Sequence, residues 1–206
     1  MEEHPPSGDV YHTIAARQRA ELKVKGSRFT ATAFPVAAKD EAMQRLEEVR
    51  REFYDATHNC YAYRLGYKGL DFRAADDGEP SGSAGKPILF MLQKYDVSDV
   101  LLVVTRYFGG TKLGVGGLSR AYSECAAAAL ELCGRVSVHR TVAVRILCTY
   151  EDISPVMAIV ERFGISHTAD YRDVVEFTVA VPLSAADECI RAVSAATNAR
   201  AGAVLA

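Results

Sequence analysis

The 206-residue chain has no tryptophan, no Cys-x-x-Cys pair and no marked excess of either charge, with 24 basic residues against 26 acidic ones. Each absence excludes something. Cys60, Cys125, Cys133, Cys148 and Cys189 are odd in number and lack metal-site spacing, which suits small buried thiols in a reducing cytoplasm rather than a disulfide framework. A formal net charge of −2 creates no global field toward nucleic acid or anionic lipid, so any such binding needs a local patch. No apolar run reaches the length of about 18 residues that a membrane span requires, and no membrane partner is expected. Residues 1–9 are acidic and turn-rich, the opposite of an export signal, so no targeting segment is expected and the reading is cytoplasmic. With 49% hydrophobic and 24% charged residues, disorder is excluded as well.

What is present divides after Val138. The first part carries 18 basic and 18 acidic residues, the remainder 6 and 8, and every lysine lies in the first part. A polyanion would therefore prefer residues 1–138 over residues 139–206. The tail alternates at Val142, Val144, Ile146 and Cys148, as a half-buried strand does. Ser154 and Pro155 suggest a helix start, Val156, Ile159, Val160 and Phe163 an apolar stripe, and Gly164 a left-handed stop. Strands near 165–169 and 174–181 flank a hairpin loop at 170–173. Ser184 opens a second helix that Asn198 ends, and residues 203–205 close as a strand. The order βαββαβ is that of a ferredoxin-like domain.

The first part reads as α+β. Strands are expected at 19–25, 28–36, 57–65 and 99–107, an amphipathic helix at 39–53, a short helix from Pro87 and an Ala-rich helix at 118–133. The stretch 66–86 reads as a long polar loop. Two glycine loops each run into a helix, and function is expected there.

The first loop is Asp76-Asp77-Gly78-Glu79-Pro80-Ser81-Gly82-Ser83-Ala84-Gly85-Lys86-Pro87. It fails the nucleotide-binding P-loop pattern, since Pro80 replaces the first glycine and Pro87 replaces the magnesium-binding hydroxyl. Backbone N–H groups, Ser81 and Lys86 at a helix start still favour an anion. Asp76, Asp77 and Glu79 are candidates for a divalent cation, set against acidic caps on a solvated turn, and no resident metal is expected. In the second loop, residues 106–118, Gly114 and Gly116 hint at a dinucleotide fingerprint, but Ser119 stands where its third glycine belongs and the following acidic residue is missing. A strand, a glycine turn and a helix N-terminus remain, with Arg106, Lys112, Gly109, Gly110 and Gly114 as anion-site candidates; tight packing explains such glycines equally well. His58 and Cys60 share a strand face and could ligate a metal together, although buried, hydrogen-bonded histidines are commoner. No nucleophile elbow or zinc-protease motif occurs, and neither a catalytic residue nor a cofactor is identified.

At these loops the chain resembles the YigZ/IMPACT family. The resemblance rests on Ala56-Thr57-His58-Asn59-Cys60-Tyr61-Ala62, on residues 76–88, and on Val103-Val104-Thr105-Arg106-Tyr107-Phe108-Gly109-Gly110-Thr111-Lys112-Leu113-Gly114. Lys25-Gly26-Ser27-Arg28-Phe29 also fits the family's opening strand. The resemblance implies a first domain folded like the second domain of ribosomal protein S-five. It implies a tail like the last domain of the translocation elongation factor. Eukaryotic relatives act on translation through the kinase pathway that senses amino-acid starvation.

Three functions follow as expectations. The first is a non-catalytic RNA- or ribosome-binding protein linked to translation, with a protein partner in that control as a further option. Its contacts would be Arg106, Lys112, Lys86 and the basic strand face of Arg19, Lys23 and Lys25. The second is an enzyme or sensor for a small phosphorylated ligand, using the fold as GHMP-type kinases do, with Asp76, Asp77 and Glu79 holding magnesium. A protein-interaction module using the open sheet face of the tail is a third.

Overall fold

The computed structural model describes residues 8–206, so most of the acidic opening on which the targeting expectation rests lies outside the described residues. The chain forms two compact units, Tyr11–Val138 and His139–Ala206, the latter with residues 8–10. Helices and strands are present in both, an α+β arrangement.

The larger unit contains β1 (Val10–Ile14), β2 (Gln18–Val24), β3 (Ser27–Pro35), α1 (Lys39–Glu52), β4 (His58–Leu65), β5 (Asp71–Ala75), α2 (Gly85–Lys94), β6 (Val100–Tyr107), α3 (Gly114–Cys133) and β7 (Arg135–His139). Five of its strands form an antiparallel sheet in the order β2-β3-β6-β4-β5, while β1 and β7 pair separately. Alternation along the strands assigns the faces. Phe29, Ala31, Cys60, Leu102 and Val104 share a core with Ile88 and Leu92 of α2 and Tyr122 and Cys125 of α3. On the other face, Phe34, Tyr61, Tyr63 and Val103 pack with Leu46 and Val49 of α1. Each large apolar side chain fully buried here contributes about 1.5–3 kcal/mol relative to exposure.

Four elements depart from the sequence expectation. β5 lies inside the expected loop: it is an edge strand with Phe72 53% exposed, so burial imposes little pattern on it. β1 and β7 were not anticipated for the same reason, being largely unburied. Helix α3 starts at Gly114 rather than Leu118, because glycines 114, 116 and 117 occupy its first turn and mask the helical pattern.

The smaller unit contains β8 (Thr141–Cys148), α4 (Ile153–Phe163), β9 (Ser166–Tyr171), β10 (Val175–Pro182), α5 (Ala186–Ala196) and β11 (Gly202–Leu205). Its antiparallel order β11-β8-β10-β9 is the ferredoxin-like arrangement. Val144, Ile146, Phe177 and Val179 meet Val156, Val160, Cys189 and Val193 in the core. Asn198, at φ +51, follows the end of α5 as expected. The expected Ser154 cap is not used: α4 begins at Ile153, and the preceding buried Asp152 pairs with Arg200 at 2.5 Å. Nor is Gly164 left-handed, with φ at −81. Glycine is needed there because a Cβ would lie 2.6 Å from the Val160 carbonyl oxygen and 2.8 Å from Val179 Cγ1. Helix α5 begins at Ala186, and the Ser184 backbone N–H instead donates to the Asp9 carboxylate at 2.7 Å.

Candidate anion-binding site

Both glycine loops gather at one end of the five-stranded sheet. The register that aligns Val24 with Ser27 and Arg28 with Tyr107 brings the β2–β3 turn beside the loop that leaves β6. There the chain is stripped of side chains: a Cβ on Gly26 would meet the Gly109 carbonyl oxygen at 2.7 Å, and Gly26 also has φ +84. Two glycines are required for this approach. Ser27 fastens it, its hydroxyl accepting the Gly109 backbone N–H at 3.2 Å. Lys25 and Lys112 flank the contact in sequence, are exposed, and have no ion-pair or hydrogen-bond partner among the described residues. Arg28, exposed and not among the expected contacts, lies over the Tyr107 ring at 4.4 Å. Lys23, its register partner, is exposed too. Gly110 in the loop and Gly114 at the start of α3 both carry positive φ, with open space where a Cβ would stand.

Arg106 is not one of the surface cations. It is 5% exposed, its Nη1 donates to Glu79 Oε1 at 2.6 Å, and its Nη2 donates to the Ser27 hydroxyl at 3.3 Å. Its Nε has no partner among the described residues. Glu79 Oε1 also accepts the Tyr122 hydroxyl at 2.7 Å. Alternation sends Arg106 to the α3 side of the sheet, where burial requires a countercharge, and the first glycine loop delivers it.

Asp76 explains most of that first loop. Its carboxylate accepts backbone N–H groups from Gly82 at 2.8 Å, Ala84 at 3.1 Å and Gly85 at 2.8 Å. The anion expected at the start of α2 is therefore the chain's own side chain. Burial opposes its charge, but the bonds from Gly82, Gly85 and Ala84, with Lys86 nearby, outweigh burial and hold the Asp76 carboxyl below its usual range. Asp77 turns elsewhere, accepting the Asn59 N–H at 2.7 Å and pairing with Arg50 at 3.2 Å. The three acidic candidates for a cation thus serve three separate sets of protein donors. His58 Nδ1 donates to the Asp77 carbonyl at 2.8 Å, and the Cys60 thiol donates to the Asp76 carbonyl at 2.9 Å. Burial pushes that thiol up to about 12, so it is a packing group rather than a ready thiolate ligand.

The remaining expected contacts are dispersed. Arg19 is held by Glu52 of α1 through two bonds of 2.6 and 2.8 Å, with its guanidinium 4.9 Å from the Phe53 ring centre. Its charge is neutralised on the sheet face that α1 covers. Lys86 is exposed at the start of α2 and lines an open groove with Ser119 and Ser123 of α3. Ser81 is exposed in the first loop.

Between the two glycine loops lies a cavity of about 340 Å³, walled by Pro80, Phe108, Leu113, Val115 and Leu118. Arg106, Glu79 and Lys112 are its charged lining residues. Sequence reasoning did not find this grouping, since Ser27, Glu79, Arg106 and Tyr122 are scattered along the chain and no short-range spacing connects them.

Comparison with known proteins places this end of the sheet inside a shared domain. The Impact N-terminal domain matches residues 25–130, from the Lys25 turn through most of α3. The chain belongs to the IMPACT family. It is 35% identical over 179 residues to the IMPACT family member in the pol 5′ region of Thermus thermophilus, covering 86% of this chain and 97% of that one. It is 41% identical over 126 residues to the IMPACT family member YvyE of Bacillus subtilis, covering 61% of this chain and 58% of the relative, so it spans little more than half of that protein. A crystal structure known only as that of a hypothetical protein has a TM-score of 0.69 and 28% identity, and covers 95% of this chain and 97% of the other.

Proposed function

We propose that this IMPACT family protein is a non-catalytic RNA-binding factor that acts at the ribosome in the control of translation, as the family resemblance implies. Its contact surface is the end of the sheet formed by the β2–β3 turn and the second glycine loop. The observation that carries the reading is the Gly26–Gly109 contact, which locks two loops bearing the exposed Lys25 and Lys112 against each other. Lys23 and Arg28 extend this basic edge, and the exposed Gly110, Gly114 and Gly116 offer backbone N–H groups to phosphate. Arg106 supports the loop from beneath rather than touching phosphate, and Arg19 is spent on Glu52. A near-neutral chain with a local cationic edge binds a polyanion through that edge alone, with strong salt dependence.

Co-sedimentation with purified ribosomes tests this. The double charge reversal Lys25→Glu, Lys112→Glu is expected to weaken binding about tenfold or more at low salt. Arg191→Glu, at an exposed position of α5, serves as a control of equal charge type and leaves binding unchanged. A Lys25→Glu, Lys112→Glu protein that pellets with ribosomes as the unmutated chain does would overturn the reading.

A further inference from the structure

The cavity between the glycine loops has a chemical character that the salt-dependent edge does not account for. Its walls are the apolar surfaces of Pro80, Phe108, Leu113, Val115 and Leu118. Phe108 stands at its side 48% exposed, with the Arg106 guanidinium 5.6 Å from its ring centre. An aromatic ring so exposed, beside a cation, is a stacking platform for a flat ring. The polar part of the lining is the pair Arg106 and Glu79. Arg106 is more than nine-tenths buried, its Nε has no partner among the described residues, and the hydrogen bonds that Glu79 accepts from Arg106 and Tyr122 both fall on Oε1. Charges of Arg106 and Glu79 cancel, so Lys112 leaves the cavity one net positive charge. The first turn of α3 adds to it, carrying no acidic residue and no side-chain cap. α2 differs in this respect, because Asp76 occupies its N-terminus.

We infer that this cavity receives one unstacked nucleobase of a single-stranded RNA, with the adjoining phosphate on Lys112 and the first-turn N–H groups of α3. This rests on the reading of the protein as RNA-binding and specifies what its surface selects. A base has two apolar faces for the walls and a polar edge with both donors and acceptors for the Arg106–Glu79 pair. The nucleotide also carries the single negative charge that the mouth accommodates. A base inside a duplex cannot enter, since its faces are stacked on its neighbours and its edge is paired. The surface therefore distinguishes single-stranded from double-stranded RNA, which a purely phosphate-binding edge does not.

Fluorescence anisotropy with end-labelled oligo(U) and oligo(A) of ten nucleotides, and with a labelled RNA duplex of the same length, tests this at low salt. The unmutated chain is expected to bind at least one of the single strands about tenfold more tightly than the duplex. Phe108→Ala removes the stacking face and Val115→Trp fills the space. Each is expected to weaken single-strand binding about fivefold or more while leaving duplex binding and the salt slope unchanged. Both positions are exposed, and thermal melting verifies that the variants are folded. Lys112→Ala, by contrast, lowers the salt slope by about one phosphate contact. Equal binding of single strands and duplex, or single-strand binding indifferent to both Phe108→Ala and Val115→Trp, overturns the cavity assignment while the RNA-binding reading stands. Failure to bind any of these RNAs at low salt overturns both.

Discussion

Gly26 and Gly109 meet backbone to backbone, with room for a Cβ on neither. A sheet register brings the β2–β3 turn to the end of β6, and the missing side chains let the two loops close to contact. The cationic edge follows from that closure, because Lys25 and Lys112 belong to loops that would otherwise be independent. Glycine at these positions is a requirement of packing first and of binding second.

Substitution should separate packing glycines from merely permissive ones. Gly26→Ala and Gly109→Ala are expected to destabilise the protein by about 2 kcal/mol or more, through backbone overlap and, at Gly26, an unfavourable φ. Gly116→Ala, in the first turn of α3 with open space around its Cβ, is expected to be neutral or to stabilise by up to about 1 kcal/mol. Urea unfolding of the three variants checks the contrast; equal losses at all three sites would contradict it.

The Arg106–Glu79 pair is buried on both sides, so removing one partner strands a charge. Arg106→Ala or Glu79→Ala is expected to cost about 3–5 kcal/mol. The double variant Arg106→Met, Glu79→Leu should recover much of that loss, since no charge is then left uncompensated. Chemical denaturation of the cycle reads the coupling, and additive losses would show that the two residues act separately. Loss of RNA binding in Arg106→Ala alone would therefore report the loop's support and the base-edge contact rather than a phosphate contact.

Asp76 predicts a pH dependence with a definite sign. Its folded value lies below the ordinary 3.8, so its contribution to stability is complete above that value and fades as pH falls through the lowered one. Asp76→Ala is expected to lose about 1–2 kcal/mol at pH 7 through the unmade bonds at the start of α2. Its stability difference from the unmutated chain should narrow in acid below pH 3.8. A difference that stays constant down to that range would mean the carboxylate charge is not what holds the loop.

Legibility in the sequence followed burial. The tail could be read almost strand by strand, because β8 and β10 each bury one face and alternate accordingly. β1, β5 and β7 left no such trace, being edge or paired ribbon strands that bury little. The two glycine loops stood out, yet the roles of their charges did not. Arg106 ends a buried strand and reads like a surface cation until Glu79, folded in from another loop, is placed against it. Asp76 and its neighbours read as metal ligands or solvated caps, while the backbone donors they satisfy carry no mark in the residue types. The cavity beside Phe108 depends on tertiary packing of both loops, which no local spacing encodes.

The most direct measurement is ribosome co-sedimentation of the unmutated chain across a salt series. The account predicts an affinity that falls linearly in log–log form with salt, by about 0.7–0.9 log units per phosphate contacted and decade of salt, and a slope that shrinks by about two contacts in Lys25→Ala, Lys112→Ala. An affinity independent of salt, or a slope unchanged by removing both lysines, would contradict it.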